Sequence, residues 1–133
     1  MNETVEEWIA KAEADFVTAG RERRARKSPN YDALCFHAQQ GVEKLMKGLL
    51  ILRGVVPPKT HDLIHLDQLL CTACPDWSWP VEELRFVSRA AVVFRYPGES
   101  ATRKDAVEAL ELARRMRRKL LLLLKEDSWR KRA

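Results

Sequence analysis

Gln40, Lys44 and Lys47 fall at helical spacing in the stretch YDALCFHAQQGVEKLMKGLLILRG, and Lys59 and His61 follow just beyond it. Long ammonium side chains beside a Thr-His helix start can hold phosphate, because free N–H groups at a helix N-terminus also favour an anion. With Arg95 they form a candidate site for a polyphosphate such as ATP or GTP. The chain has no Gly-rich phosphate loop, so such a site would be a basic cleft, open to completion by a second protomer. A plainer reading runs beside this one. Gln39, Gln40 and Glu43 would hydrogen-bond between helices, His61 would brace the turn ahead of its helix, and Lys44 and Lys47 would only solubilise an outer face.

Cys71-Thr-Ala-Cys74 is a single CxxC, with His61 and His65 just upstream. The four could supply the nitrogen and sulfur ligands that zinc takes, making the chain a zinc-stabilised helical module. One CxxC without a second is a sparse pattern, and two small residues at a helix end explain it as well. No metal is therefore expected. Cys35 falls on an apolar stripe and acts as a small apolar residue. An odd cysteine count without a secretion signal argues against a disulfide framework. No paired carboxylates and no Ser-His-Asp order stand out.

Helices must position all of these groups. From Asp32 to Arg53, Cys35, Ala38, Val42, Leu45, Leu49 and Leu52 recur at three- and four-residue steps and share one stripe. Met46 and Leu50 widen it, while His37, Gln40, Lys44 and Lys47 gather opposite. Gly41 is the weak point, costing roughly 1 kcal/mol against Ala. Upstream, Thr4 and Glu7 have capping-box spacing, and Val5, Trp8, Ala12, Phe16 and Ala19 form a buried stripe. Ser28-Pro29-Asn30 breaks the pattern.

Downstream, Val55-Val56-Pro57-Pro58 is an extended connector to a short helix capped by Thr60 or Asp62. The loop CTACPDWSWP places Trp77 and Trp79 over the end of the core, with their indole N–H groups near water. Pro80 opens a helix with the stripe Val81, Leu84, Val87, Ala91 and Phe94, and Pro97-Gly98 ends it. Thr102 with Asp105 caps a last helix from about Arg103 to Glu126, and the tail 127–133 is expected to fray. No segment alternates at period two. The expected architecture is all-α: one domain over 1–133, an antiparallel up-and-down four-helix bundle with an additional short helix.

The chain of 133 residues is long enough to bury a core, and 24 basic against 19 acidic side chains leave it at +5. The excess is concentrated in RERRARK (Arg21 to Lys27), RRMRRK (Arg114 to Lys119) and a closing RKR. These are solvated helix faces or a surface for nucleotide, RNA or an acidic partner. The longest apolar run, Leu120 to Leu124, is too short to span a membrane. MNETVEEW has no signal-peptide pattern, so the expected location is cytoplasmic with no membrane association.

Three local patterns coincide. Phe36-His37-Ala38-Gln39-Gln40-Gly41-Val42-Glu43-Lys44 with Lys47 resembles an FxxQQxxEK helix followed by a second Lys. Pro58-Lys59-Thr60-His61-Asp62-Leu63 resembles a PKTHDL segment, and Arg95-Tyr96-Pro97 an RYP segment. In this order they resemble the HEPN domain, the higher-eukaryote and prokaryote nucleotide-binding family, from about Trp8 to Leu124. The resemblance implies a helical bundle that forms homodimers. It also implies a minimal nucleotidyltransferase as partner, in a two-component, toxin–antitoxin-like system, and nucleotide or RNA as ligand. The leading expectation is a non-catalytic nucleotide-binding and interaction module.

Some members of this family are RNase toxins, with Arg-x4-6-His, often extended to Arg-x4-His-x-Tyr. The best match here is Arg89, then Phe94, Arg95 and Tyr96. Arg and Tyr fit. Phe94 stands where the His is expected and cannot exchange a proton, whereas cleavage through the 2′-hydroxyl normally uses a group that titrates near neutrality. An RNase is thus the alternative reading, resting on Arg89 and Tyr96.

Overall fold

A computed structural model describes residues 2–93 and 96–132, with side chains described as far as Glu126. Five helices follow in order: α1 (Glu3–Arg24), α2 (Tyr31–Leu52), α3 (Leu63–Ala73), α4 (Val81–Val93) and α5 (Arg103–Arg132). No strand occurs among the described residues.

α2 is the axis of the molecule. It packs against α1, α3, α4 and α5, and the expected stripe of Cys35, Ala38, Val42, Leu45, Leu49 and Leu52 is buried along its length. Each fully buried Leu contributes about 1.5–3 kcal/mol, so this one helix supplies much of the folding free energy. Asn30 caps its start by accepting from the Ala33 N–H at 2.9 Å. Gly54 ends it in the left-handed conformation, φ +82°, where Val55 N–H reaches back to the Leu50 carbonyl.

The chain order reads up and down. Gly48 lies against Trp8 and Gly41 against Phe16, so α1 and α2 are antiparallel. Arg117 meets Glu13 and Arg114 meets Gly20, so α1 and α5 are antiparallel too. α4 and α5 form a hairpin, with Glu83 near Arg115 at one end. The short α3 is different. His61 sits at the level of Gln39 and Ala73 at the level of Arg53, so α3 runs parallel to α2. The proline connector must therefore travel back along α2 before α3 begins.

Several local expectations hold. Asp62 caps α3 through the Ile64 N–H, and Thr102 and Asp105 close a reciprocal cap on α5. Others are corrected. Asn2, not Thr4, caps α1, accepting from the Val5 N–H at 2.8 Å. Trp77 is buried, and its indole N–H donates to buried Asp67 at 2.7 Å instead of reaching water. α5 extends past Glu126, where the sequence pattern placed its end, to Arg132. Phe94, expected on the α4 stripe, lies outside the described residues.

Gly41 reverses a sequence-based expectation. Helix propensity alone favours Ala there. In the structure a Cβ at Gly41 would lie 2.5, 2.8 and 3.0 Å from Phe16 ring atoms, and Phe16 is itself buried. The glycine lets α1 press its aromatic ring against the α2 backbone. Gly41→Ala should therefore destabilise by about 1–3 kcal/mol, as overpacking does, despite its better propensity. Chemical denaturation would measure this, and a stabilised variant would refute the packing argument.

Candidate functional site

Two buried carboxylates organise the polar side of α2, and each gathers one histidine and one lysine. Glu43, 3% exposed, accepts from Lys47 Nζ at 3.1 Å, and the Nδ1 of His61 lies 3.0 Å from its Oε1. Gln39 donates to the same Oε1 at 3.2 Å and to the His61 backbone carbonyl at 2.8 Å. Gln40 donates to Gln39 Oε1 at 2.8 Å. These bonds pin the far end of the proline connector to the middle of α2. They answer why a buried helix face can hold Gln, Gln, Glu and Lys: each of these side chains finds a partner.

The second carboxylate is Asp15 of α1. It takes the ammonium group of Lys44 on one oxygen, and the Nδ1 of His37 lies 2.7 Å from the other. The edge of Phe36 against the His37 ring adds an aromatic contact. This group ties α1 to α2 as the Glu43 group ties the connector to α2.

The proposed phosphate-binding residues are thus distributed unevenly. Gln40, Lys47 and His61 do come together, but around Glu43. Lys47 is buried, with its cation 5.8 Å from the Trp8 ring centroid, and does not lie on the expected solvated face. Lys44 is turned towards Asp15. The correction has a simple cause: α2 is covered by four helices, so a face opposite its main stripe is still mostly covered. Lys59 and the His61 ring, whose side chain is 81% exposed, remain open to solvent. Arg95 lies outside the described residues.

The zinc candidates do not meet. His61 is bound to Glu43, His65 is exposed, and Cys74 is buried while Cys71 is exposed. Among the described residues no three His, Cys, Asp or Glu side chains cluster as metal ligands. Burial raises the Cys71 thiol pKa, and the nearby Asp67 carboxylate adds to the shift. Burial also pushes Cys35 up to about 12, helped by Asp32 and Asp105, which fits its role as an inert core group.

A different face was not fully legible beforehand. On α4, Arg85 and Arg89 flank a groove of about 350 Å³ floored by Phe86, Ala90 and Val93, with Glu82 and Asp105 at its edges. Val92 and Tyr96, 53% and 65% exposed, stand at the same end of α4. Arg89 and Tyr96, the two fitting residues of the RNase-like pattern, marked this side in the sequence. The apolar floor did not show, because Phe86 and Val93 lie off the main stripe.

The HEPN domain family profile matches residues 5–124. The chain belongs to the HEPN domain family. Two solved structures resemble this HEPN chain along nearly all its length. TT1696 from Thermus thermophilus is 26% identical, with TM-score 0.71, covering 95% of this chain and 99% of that one. ST0689, an archaeal HEPN homologue, is 25% identical, with TM-score 0.64 and the same coverage. No curated protein matches it. Among the described residues of the HEPN chain, no helix is long and apolar enough to cross a membrane.

The buried Glu43 group gives a sharp test. Removing one partner of a buried ion pair leaves the other charge uncompensated and costs about 3–5 kcal/mol. Glu43→Ala strands Lys47 and frees the connector, so it should unfold at markedly lower denaturant. Lys59→Ala, on the exposed side of the same turn, should change stability by less than about 0.5 kcal/mol. Equal effects of the two would show that the network does not hold the fold.

Proposed function

We propose that this HEPN domain is a non-catalytic nucleotide-binding and interaction module that works as a homodimer. In this reading its partner is a minimal nucleotidyltransferase, in a two-component, toxin–antitoxin-like system. The observation that carries the reading is the α4 groove. Its apolar floor is flanked by two arginines and two carboxylates. A second copy related by a two-fold axis would bring apolar floor to apolar floor and let each sign meet its opposite. Val92 and Tyr96, exposed beside it, extend the apolar area available to such a contact. Nucleotide binding draws on the exposed Lys59 and His61 beside Gln40, where an incoming polyphosphate need not break the Glu43 or Asp15 groups.

An RNase is the second reading. Arg89 and Tyr96 are both exposed, and Arg89 has no ion-pair partner among the described residues. The position expected to hold the exchanging proton is Phe94, and His37 is engaged with Asp15 on another face. Loss of single-stranded RNA cleavage in Arg89→Ala would establish this reading over the first.

Light scattering at micromolar concentration should give twice the 15.4 kDa chain mass. Phe86→Asp should shift it to one chain mass with helical circular dichroism intact, and a monomeric parent protein would remove the α4 argument. Calorimetry should show weak ATP or GTP binding that falls about tenfold, or about 1.4 kcal/mol, in Lys59→Ala. Identical titrations of the two proteins would place the nucleotide elsewhere.

A further inference from the structure

The two basic runs, remote in sequence, meet in space. Arg24 from the first and Arg114, Arg117 and Arg118 from the second line one groove of about 340 Å³ between α1 and α5. Its floor is Gly20, with Phe16 beside it. A Cβ at Gly20 would sit 3.1 Å from Arg24 Nη1 and 3.3 Å from Arg114 Nη2. The two guanidinium heads therefore converge on a single point, and can lie no further apart than those two lengths end to end. A side chain at position 20 would push them aside.

The charges in this groove are not balanced. Glu13 is the carboxylate among its lining residues, and both of its oxygens are taken by Arg117, at 2.8 and 2.6 Å. Arg117 is also held over the Phe16 ring, and the Glu13 hydrogen bond raises its pKa further. Arg24, Arg114 and Arg118 have no carboxylate partner among the described residues. The C-terminal pole of α1 opposes an anion here, but it carries roughly half an elementary charge against three unpaired cations.

We propose that the α1–α5 groove is an anion site for the phosphate groups of a phosphate ester. Guanidinium forks match phosphate oxygens in pairs, and two forks converging on one point suit a single phosphate held from both sides. Arg118 is placed to take a neighbouring one. The site is separate from the α4 groove and from Lys59. α1 makes no contact with α4 among the described residues, so the α4 proposal can fail without touching this one.

The test uses the full chain, a fluorescein-labelled single-stranded RNA oligonucleotide and inorganic pyrophosphate. Arg24→Ala with Arg114→Ala should weaken binding at least tenfold. For RNA, the slope of log affinity against log salt should become shallower by about 1.4, two phosphate contacts at roughly 0.7 each. Arg24→Lys with Arg114→Lys should recover part of the affinity, and Arg85→Ala with Arg89→Ala should keep it. Both substituted arginines are exposed, so melting and the light-scattering mass should not change. Binding of RNA alone identifies an extended phosphodiester as the ligand. Binding of pyrophosphate identifies a short phosphate chain, such as that of a nucleotide. Failure of both probes to bind, or unchanged binding by the alanine pair, overturns the proposal.

Discussion

The buried carboxylate of Glu43 is the interaction on which the rest of the architecture leans. α2 is enclosed by four other helices, and a charge at its centre is tolerable only if fully paired. Lys47 neutralises it from one turn away, and Gln39, Gln40 and His61 fill its remaining acceptor positions. Because His61 belongs to the connector, satisfying Glu43 also decides where α3 begins. That start sets α3 parallel to α2, and α3 in turn holds Asp67, which accepts the buried Trp77 indole. One local electrostatic requirement thus propagates through the connector into the loop that closes the core.

Asp15 repeats the arrangement between α1 and α2 with His37 and Lys44. A segment that looks like a row of reagents is largely a row of fasteners. Of its polar side chains, those with the strongest chemical potential are committed to one another. A buried pair of this kind contributes less to stability than a matched apolar pair could, but losing one member is costly. The gain is positional: carboxylates accept only where donors converge, so these groups fix the helix registers more narrowly than leucines would.

Much of the fold was legible in the chain because apolar side chains repeat at helical steps and breakers fall between them. The stripes of α1 and α2 are largely buried, as their periodicity implied, and the Thr102–Asp105 cap forms as its spacing implied. What periodicity could not show is how many sides of a helix are covered. It treated Lys47 as solvent-facing because it lies across from Leu45 and Leu49, whereas α2 is enclosed almost all round. The Gly41 contact was hidden for a related reason: propensity is a property of one helix, and the Phe16 ring belongs to another. Of the candidate site, the sequence marked Gln40, Lys47 and His61 as a group and Glu43 as a hydrogen-bonding residue beside Gln39 and Gln40, but not that Glu43 would also gather Lys47 and His61. It marked both arginine runs but not their meeting over Gly20.

With α2 committed to holding the structure, the exposed cations that line grooves or flank the connector lie elsewhere. They include Arg85 and Arg89 on α4, Lys59 ahead of α3, and Arg24, Arg114 and Arg118 between α1 and α5. α1 and α4 do not touch among the described residues, because α2 and α5 pack between them. The α4 groove and the α1–α5 groove share no lining residue. Two chains joined at α4 would carry two such grooves, fixed relative to each other by the rigid bundle. A ligand with several phosphates, long enough to reach both, would then gain avidity without any new contact being made.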